Sequence, residues 1–383
     1  MAEAKARVIS FYLPQFHSTP YNDEWWGKGF TEWTNVVKAV PHFPGHYQPH
    51  IPTDLGYYDL RSPEVRELQA ALARAYGIYG FCYYHYWFSG RQLLDEPLNG
   101  VLASGKPDFP FCICWANENW TRAWDGLSRK ILMEQRYSAE DDLAHIRQLI
   151  PMLRDSRYIR IEGKPLVLIY RVELLPDCRR TAEIWRDEAK RAGLLGLFLV
   201  NVQGPHVRLG TSPQNIGFDA AIRFQPNIRE LSPPNKIVGL LCVLKWMVAN
   251  GWRPGARGLS GNVWKRARME NRFVSHERVY KHWKASQEKA YRHFHCVTPM
   301  WDNTARRGET AWIIRDSSPE IYEAWLREAI EQTAPDCEGF KWVFVNAWNE
   351  WGEGCHLEPC QKWGKAYLEA TSRAIELPTS PDG

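Results

Sequence analysis

Eight short apolar runs recur along the chain, nearly continuous in aliphatic, β-branched or aromatic residues, and most close on polar or aromatic ones. They fall at residues 7–14, 80–84, 110–115, 165–170, 197–201, 219–222, 296–301 and 342–345. Runs of this length without polar alternation predict buried parallel strands, covered on both faces. Between them lie stretches with apolar residues three and four apart, the spacing of an amphipathic helix. The clearest are residues 63–76, opened by Ser62 and Pro63 and stopped by Gly77, then 139–153, 181–192, 319–332 and 366–375. Strand and helix alternating in this way predict a single (β/α)8 barrel over residues 1–383. A doubly wound sheet would instead gather its ligand groups at one switch point.

Two segments depart from the alternation. The first loop runs from about residue 15 to residue 58 and is rich in Trp, Pro and His. Connections that long are usually functional. The second is a basic insertion at about residues 227–293, between the sixth and seventh strands. Residues 229–292 hold 14 Lys or Arg against 4 Asp or Glu, near +10, which leaves the rest near −6 against a whole-chain net of +4. An apolar run at residues 237–244 lies inside it. The insertion is read as a helical excursion folded onto the barrel, or as a basic lip for a phospholipid surface, an anionic polyprenyl-diphosphate carrier or an acidic polysaccharide.

Composition narrows the partners. Among 19 Trp, 17 Tyr and 15 Phe, many stand in polar company, as in Glu24-Trp25-Trp26, Glu32-Trp33 and Trp115-Ala116-Asn117. Indoles beside carboxylates and amides suit a carbohydrate-lined groove better than a plain core. The net charge is too small to argue for nucleic acid, and no nucleic-acid-reading motif is present. Nine cysteines with no framework spacing predict reduced, buried thiols. Cys355, His356 and Cys360 lack a fourth ligand at suitable spacing, so neither metal nor cofactor is expected. The first strand begins at residue 7 and no window approaches the ~20 apolar residues of a membrane span, which predicts a cytoplasmic protein.

The chemistry concentrates at residues 340–359. Trp342, Val343, Phe344 and Val345 give way at once to Asn346, Trp348, Asn349, Glu350, Trp351, Gly352 and Glu353. Carboxylates, amides and indoles at the carboxyl end of a buried strand stand where a (β/α)8 barrel keeps its chemistry. Glu350 and Glu353, three apart on a Gly-containing turn, can reach one cleft. Two close carboxyls do not both stay ionised cheaply, so one pKa rises, and an acid beside a base is what cleavage of a glycosidic bond needs. Asn349, with the indoles of Trp348 and Trp351, would contact sugar.

Other sugar contacts are expected at strand ends and in the first loop. After the third strand stand Trp115, Asn117, Glu118 and Trp120, with an ion pair from Glu118 to Arg122 as the structural alternative. After the seventh stand Asp302 and Asn303, with Arg306 as a structural partner. Tyr12, Tyr84, His85 and Trp87 close the first two strands, and His17, Glu32 and Trp33 lie in the first loop. For Tyr12, Tyr84 and His85, buried hydrogen-bonded core residues would look the same.

These residues occur in motifs. Phe11-Tyr12-Leu13-Pro14-Gln15-Phe16-His17, the long Trp25-Trp26-Gly27-Lys28-Gly29-Phe30-Thr31-Glu32-Trp33 stretch and Tyr83-Tyr84-His85-Tyr86-Trp87-Phe88 form one group. Trp115-Ala116-Asn117-Glu118-Asn119-Trp120, Trp301-Asp302-Asn303-Thr304-Ala305-Arg306 and Asn346-Ala347-Trp348-Asn349-Glu350-Trp351-Gly352-Glu353 complete it. Together they resemble the WbsX-like group of bacterial polysaccharide-locus proteins, related to glycoside hydrolase family 99. The resemblance implies a metal-free barrel cleaving α-mannosidic bonds internally with retention. Glu350 would deprotonate the sugar's own 2-hydroxyl, and Glu353 would be the acid/base. Gly352 departs from the family, which commonly has His there. The expected function is a retaining α-glycosidase or transglycosidase acting on a bacterial oligosaccharide or polysaccharide. The alternatives are a glycosyltransferase of O-antigen or capsule assembly and a non-catalytic polysaccharide-binding barrel.

Overall fold

A computed structural model describes residues 6–122, 127–204, 212–227, 272–286 and 291–375. Eight parallel strands close into a ring: β1 (Ala6–Tyr12), β2 (Ile78–Phe88), β3 (Phe111–Trp115), β4 (Lys164–Ile169), β5 (Phe198–Gln203), β6 (Ala220–Arg223), β7 (His293–Val297) and β8 (Lys341–Val345). Each is hydrogen-bonded to the next, and β1 pairs with both β2 and β8, with Val8 opposite Ile78 on one side and Val343 on the other. The fold is a (β/α)8 barrel. Closure leaves no edge strand, so the apolar runs can be buried on both faces.

Helices cover the ring: α1 (Pro63–Ala75), α2 (Glu96–Ser104), α3 (Ala139–Leu153), α4 (Cys178–Arg191), α5 (His276–Ala285), α6 (Pro319–Gln332) and α7 (Ala366–Ile375). Ser62, Ser138, Asp177 and Ser318 each accept a first-turn amide, which sets where α1, α3, α4 and α6 begin. The Asp177 cap starts α4 three residues before the apolar periodicity does. Between β5 and β6 the described chain supplies a 3-10 turn, Pro213–Ile216.

Several differences bear on function. β2 continues through His85 to Phe88, where Tyr86, Trp87 and Phe88 pair with Arg91–Leu93 in a hairpin. β7 stops at Val297 rather than 301, since Pro299 has no amide to give a ladder and Thr298 turns its hydroxyl to the Met300 carbonyl. The long first loop holds two short helices, Pro20–Trp26 and Glu32–Val37. Of the basic insertion, residues 228–271, including the apolar run, and 287–290 lie outside the described residues. Among the described residues no helix is long and apolar enough to cross a membrane.

Inside the ring, Phe11 of β1 meets Tyr84 of β2, Phe224 just past β6 and Phe344 of β8, with ring centroids 5.6, 5.1 and 5.8 Å apart. Three rings, from β2, from β8 and from just past β6, thus pack on the ring of Phe11 inside the barrel. Tyr84 and Phe224 form its upper layer and the floor of the hollow above.

Candidate active site

The segment after β8 is stitched to the end of β1. Trp348 donates its amide to the Phe11 carbonyl at 2.7 Å. The Asn349 side chain receives the Leu13 amide at 2.7 Å and donates to the Leu13 carbonyl at 3.0 Å, doing the work of one more strand residue. Glu350 therefore starts from a rigid base, and the 3-10 turn Trp351–Glu353 carries the second glutamate back to the same side.

Both carboxyls meet one guanidinium. Arg306, from the short helix Thr304–Arg307 after β7, reaches Glu350 at 2.8 Å, Glu353 at 2.8 Å and Glu32 of the first loop at 2.7 Å. Glu32 is fully buried and the Glu350 side chain is 7 % exposed, whereas that of Glu353 is 23 % exposed. Three carboxyl groups ring one cation. Burial, opposed by Arg306 and reinforced by Glu353 and Glu32, pushes the Glu350 carboxyl up to about 8. Burial also raises Glu353, again against Arg306. With burial raising both members of the Glu350–Glu353 pair, Glu350 to about 8, the pair retains a proton at neutral pH. Acid and base are then present together.

Gly352 makes room for this cluster. A Cβ there would stand 1.8 Å from a Glu32 carboxylate oxygen and 2.9 Å from Arg306 Nε. The carboxylate and guanidinium fill the space a side chain would take. Gly352→Ala is expected to push Glu32 off Arg306 and cost about 1–3 kcal/mol as an overpacking change, read by denaturant unfolding.

The two glutamates open onto a hollow of about 290 Å³ at the carboxyl-terminal face of the barrel. Tyr84, Tyr170 and Phe224 form its floor, and Trp26, Trp120, Trp301 and Tyr86 its aromatic walls. Gln15, Glu118, Asn119, Thr121, Arg306 and Arg307 add polar groups. Flat apolar faces beside hydrogen-bonding groups suit a sugar ring.

Of the residues expected from sequence, Glu350, Glu353, Tyr84, Glu118 and Trp120 line this hollow. Glu118 pairs with Arg171, and the Arg122 side chain lies outside the described residues. The others are drawn into the wall behind it. Tyr12 donates to Gln69 at 2.7 Å beneath the floor, and His17 is fully buried with its pKa lowered by that burial. Trp33 gives its N–H to the Tyr58 carbonyl and packs on Phe16, and Glu32 serves Arg306. His85 and His145 share a hydrogen bond at 2.8 Å, and Trp87 stacks on His145 while bonding Asp141. Trp115 and Trp348 are fully buried, and Asn117 holds Arg171 by its backbone amide and carbonyl. Trp351 turns away from the hollow, stacking on His356 at 3.8 Å and donating to Glu358 at 2.6 Å. Asp302 receives His46 at 2.6 Å and Gln48 at 2.9 Å, and Asn303 accepts the Trp312 amide. Asp302 also gives its amide to the Glu353 carbonyl at 2.7 Å, bracing the turn.

Sequence reasoning missed Arg306 as the centre of the cluster, reading it as a partner for Asp302. It also passed over Trp301, Tyr86, Tyr170 and Phe224 as lining, and it tied Trp26 to a carbohydrate groove without naming it as a contact. Tyr170 and Phe224 each follow the last residue of a barrel strand, and that position was their only available signal.

Residues 8–371 match the model of the family described as Glycosyltransferase WbsX. The chain belongs to the WbsX family. WxcX of Xanthomonas campestris pv. campestris, in strains B100 and ATCC 33913, is 40% identical over 373 residues, 97% of this chain. The chain spans about half the length of these curated relatives, 50% of each. Among solved structures, the GH99 endo-alpha-mannosidase of Bacteroides thetaiotaomicron is similar at TM-score 0.53 and 16% identity, over 96% of both chains. A glycoside hydrolase-like protein is similar at TM-score 0.56 and 13% identity, over 98% of this chain and 96% of the other. At those identities the likeness is one of fold, and this WbsX-family chain shares its barrel with them.

Proposed function

We propose that this WbsX-family chain makes or breaks α-glycosidic bonds, with retention, at Glu350 and Glu353. The observation that carries it is the pair of raised-pKa carboxyls that share one guanidinium and open onto an aromatic hollow at the barrel mouth. In the proposed first step, Glu350 takes the proton of the sugar's 2-hydroxyl and that oxygen attacks the anomeric carbon. The bond to the departing oxygen breaks, and Glu353 gives that oxygen its proton. In the second step, Glu353 removes a proton from water or an alcohol, which attacks the anomeric carbon and opens the strained ring. Glu350 then returns its proton to the 2-oxygen. Glu353, the more exposed of the two, is placed to meet both leaving group and acceptor.

The substrate class is an oligosaccharide or polysaccharide of mannose type, with residues 1–383 acting as one catalytic domain and water as acceptor. The description of the family favours a second outcome by the same pair, in which a sugar hydroxyl is the acceptor and the chain transfers glycosyl units. Incubation with α-mannans and with nucleotide sugars separates the cases. Shorter oligosaccharides mark hydrolysis, and lengthened acceptors or released nucleotide mark transfer. Binding with no product overturns the proposal.

The shared proton sets a pH limit. With Glu350 pushed up to about 8, the pair shares one proton at neutral pH, and the reactive form is the one in which Glu353 carries it and Glu350 is ionised; as pH rises through that value the pair loses the proton and no acid is left. kcat/KM is expected to fall roughly tenfold per unit above it, as a single deprotonation requires. A profile flat to pH 10 would contradict a carboxylic acid donor.

A further inference from the structure

Beside the catalytic hollow lies a recess of about 450 Å³, between the end of the Glu32–Val37 helix and the Thr304–Arg307 helix. Its polar lining is Lys38, His42, Thr304, Arg306, Arg307 and Thr310, without a carboxylate among the lining residues. Arg306 is consumed by its three glutamates. Lys38 and Arg307 are exposed, and neither side chain has an ion-pair or hydrogen-bond partner among the described residues. His42 Nε2 is buried with no hydrogen-bond partner among them. The acidic groups that act on His42, Asp302 and Glu309, stand outside the lining. The neighbouring hollow around Trp301, Arg315 and Lys362 differs in holding Asp302 and Asp316 as well.

Arg307 lines both the recess and the catalytic hollow, and its charge acts on Glu353. An anion in the recess would therefore sit next to a sugar held against the glutamates. The Arg307 guanidinium and the Lys38 ammonium, beside the unpartnered His42 Nε2, form a donor set for an oxyanion, while the Thr304 and Thr310 hydroxyls are already spent on Asp302 and on the Arg307 carbonyl. We propose that this recess binds the anionic group of a charged glycosyl substrate, a phosphoryl or carboxylate oxyanion, while the attached sugar occupies the hollow. The proposal rests on the hollow being a glycosyl site, and it adds that the substrate is charged one group away from the bond that reacts.

Calorimetric titration with three probes tests it: α-D-mannosyl phosphate, the methyl α-glycoside of D-mannuronic acid with its carboxylate free, and methyl α-D-mannoside. The charged probe that matches is expected to bind on the order of ten- to a hundredfold more tightly than the neutral one, the span of hydrogen bonds to charged groups. Added salt should erode that advantage. A tighter phosphate arm identifies a phosphoryl source, and a tighter uronate arm a carboxylate source. The substitutions Lys38→Gln and, separately, Lys38→Glu, at a residue that lines the recess but not the hollow, should remove most of the advantage while leaving the neutral probe's affinity in place. Equal affinity for all three probes, no binding by any, or an advantage that survives the substitutions would overturn it. Catalysis is scored apart: full turnover by Glu353→Gln sinks the catalytic reading and leaves the binding comparison standing.

Discussion

Glu353→Gln is expected to lower kcat on unactivated glycosides by on the order of 10²–10⁴-fold, the usual worth of a positioned acid/base group. The amide keeps the shape of the side chain and can still face Arg306, but it has no proton of carboxylic acidity to give. Glycosides whose leaving groups need no protonation should lose much less in the bond-breaking step, because that step no longer depends on the donor. Comparing an activated aryl glycoside with a natural linkage on the same variant therefore reads the role directly. Equal losses on both in the bond-breaking step, or no loss at all, would remove Glu353 as the proton donor. The contrast is sharp because Glu353 is the more exposed of the pair, so substitution there disturbs buried packing least.

Arg306→Met is expected to be the most damaging single change to stability. It leaves Glu32, Glu350 and Glu353 without the cation they share, and removing one partner of a buried ion pair costs about 3–5 kcal/mol. The sign of its pH dependence follows from protonation. Glu350 is already raised from its ordinary 4.5 to about 8, so the stability tied to its bound proton is present below 4.5 and lost as pH rises through 8. Removing Arg306 raises the folded-state values further, so the penalty should be largest at alkaline pH and shrink as the carboxyls protonate in acid. Denaturant midpoints of wild type and variant at pH 5 and pH 9 provide the check. A penalty independent of pH would mean that Arg306 acts by packing alone.

The barrel was legible because its signal is local. An unbroken apolar run such as Trp342–Val345 reports burial on both faces whatever lies next to it, and α3, α6 and α7 follow their apolar spacing to the residue. Boundaries slipped where a single group overrode the pattern, as with the Asp177 cap on α4 and Pro299 after β7. The Glu350–Glu353 spacing was legible for the same reason, since three residues on a tight turn leave few ways to separate two side chains.

What the residues of the first loop and the strand ends do was another matter. Trp33, Trp348 and Trp351 have the polar neighbours of a sugar platform in sequence, yet pack behind the turn, while Trp26 and Trp301 face the hollow. Composition reports that an indole has polar company; it does not report on which side that company lies.

By itself the amino-acid sequence determined a ring of eight buried strands, the end of that ring where polar chemistry gathers, and two acidic groups on one turn. The tertiary structure alone decided that Arg306 binds both of them together with Glu32, a residue 274 positions away. It also decided that Gly352 stands bare to admit that contact, and that a cationic recess adjoins the hollow. The physical reason is range. Strand and helix follow from neighbours a few residues apart, whereas the protonation of a buried carboxyl is set by whichever charges chain closure brings within a few ångströms.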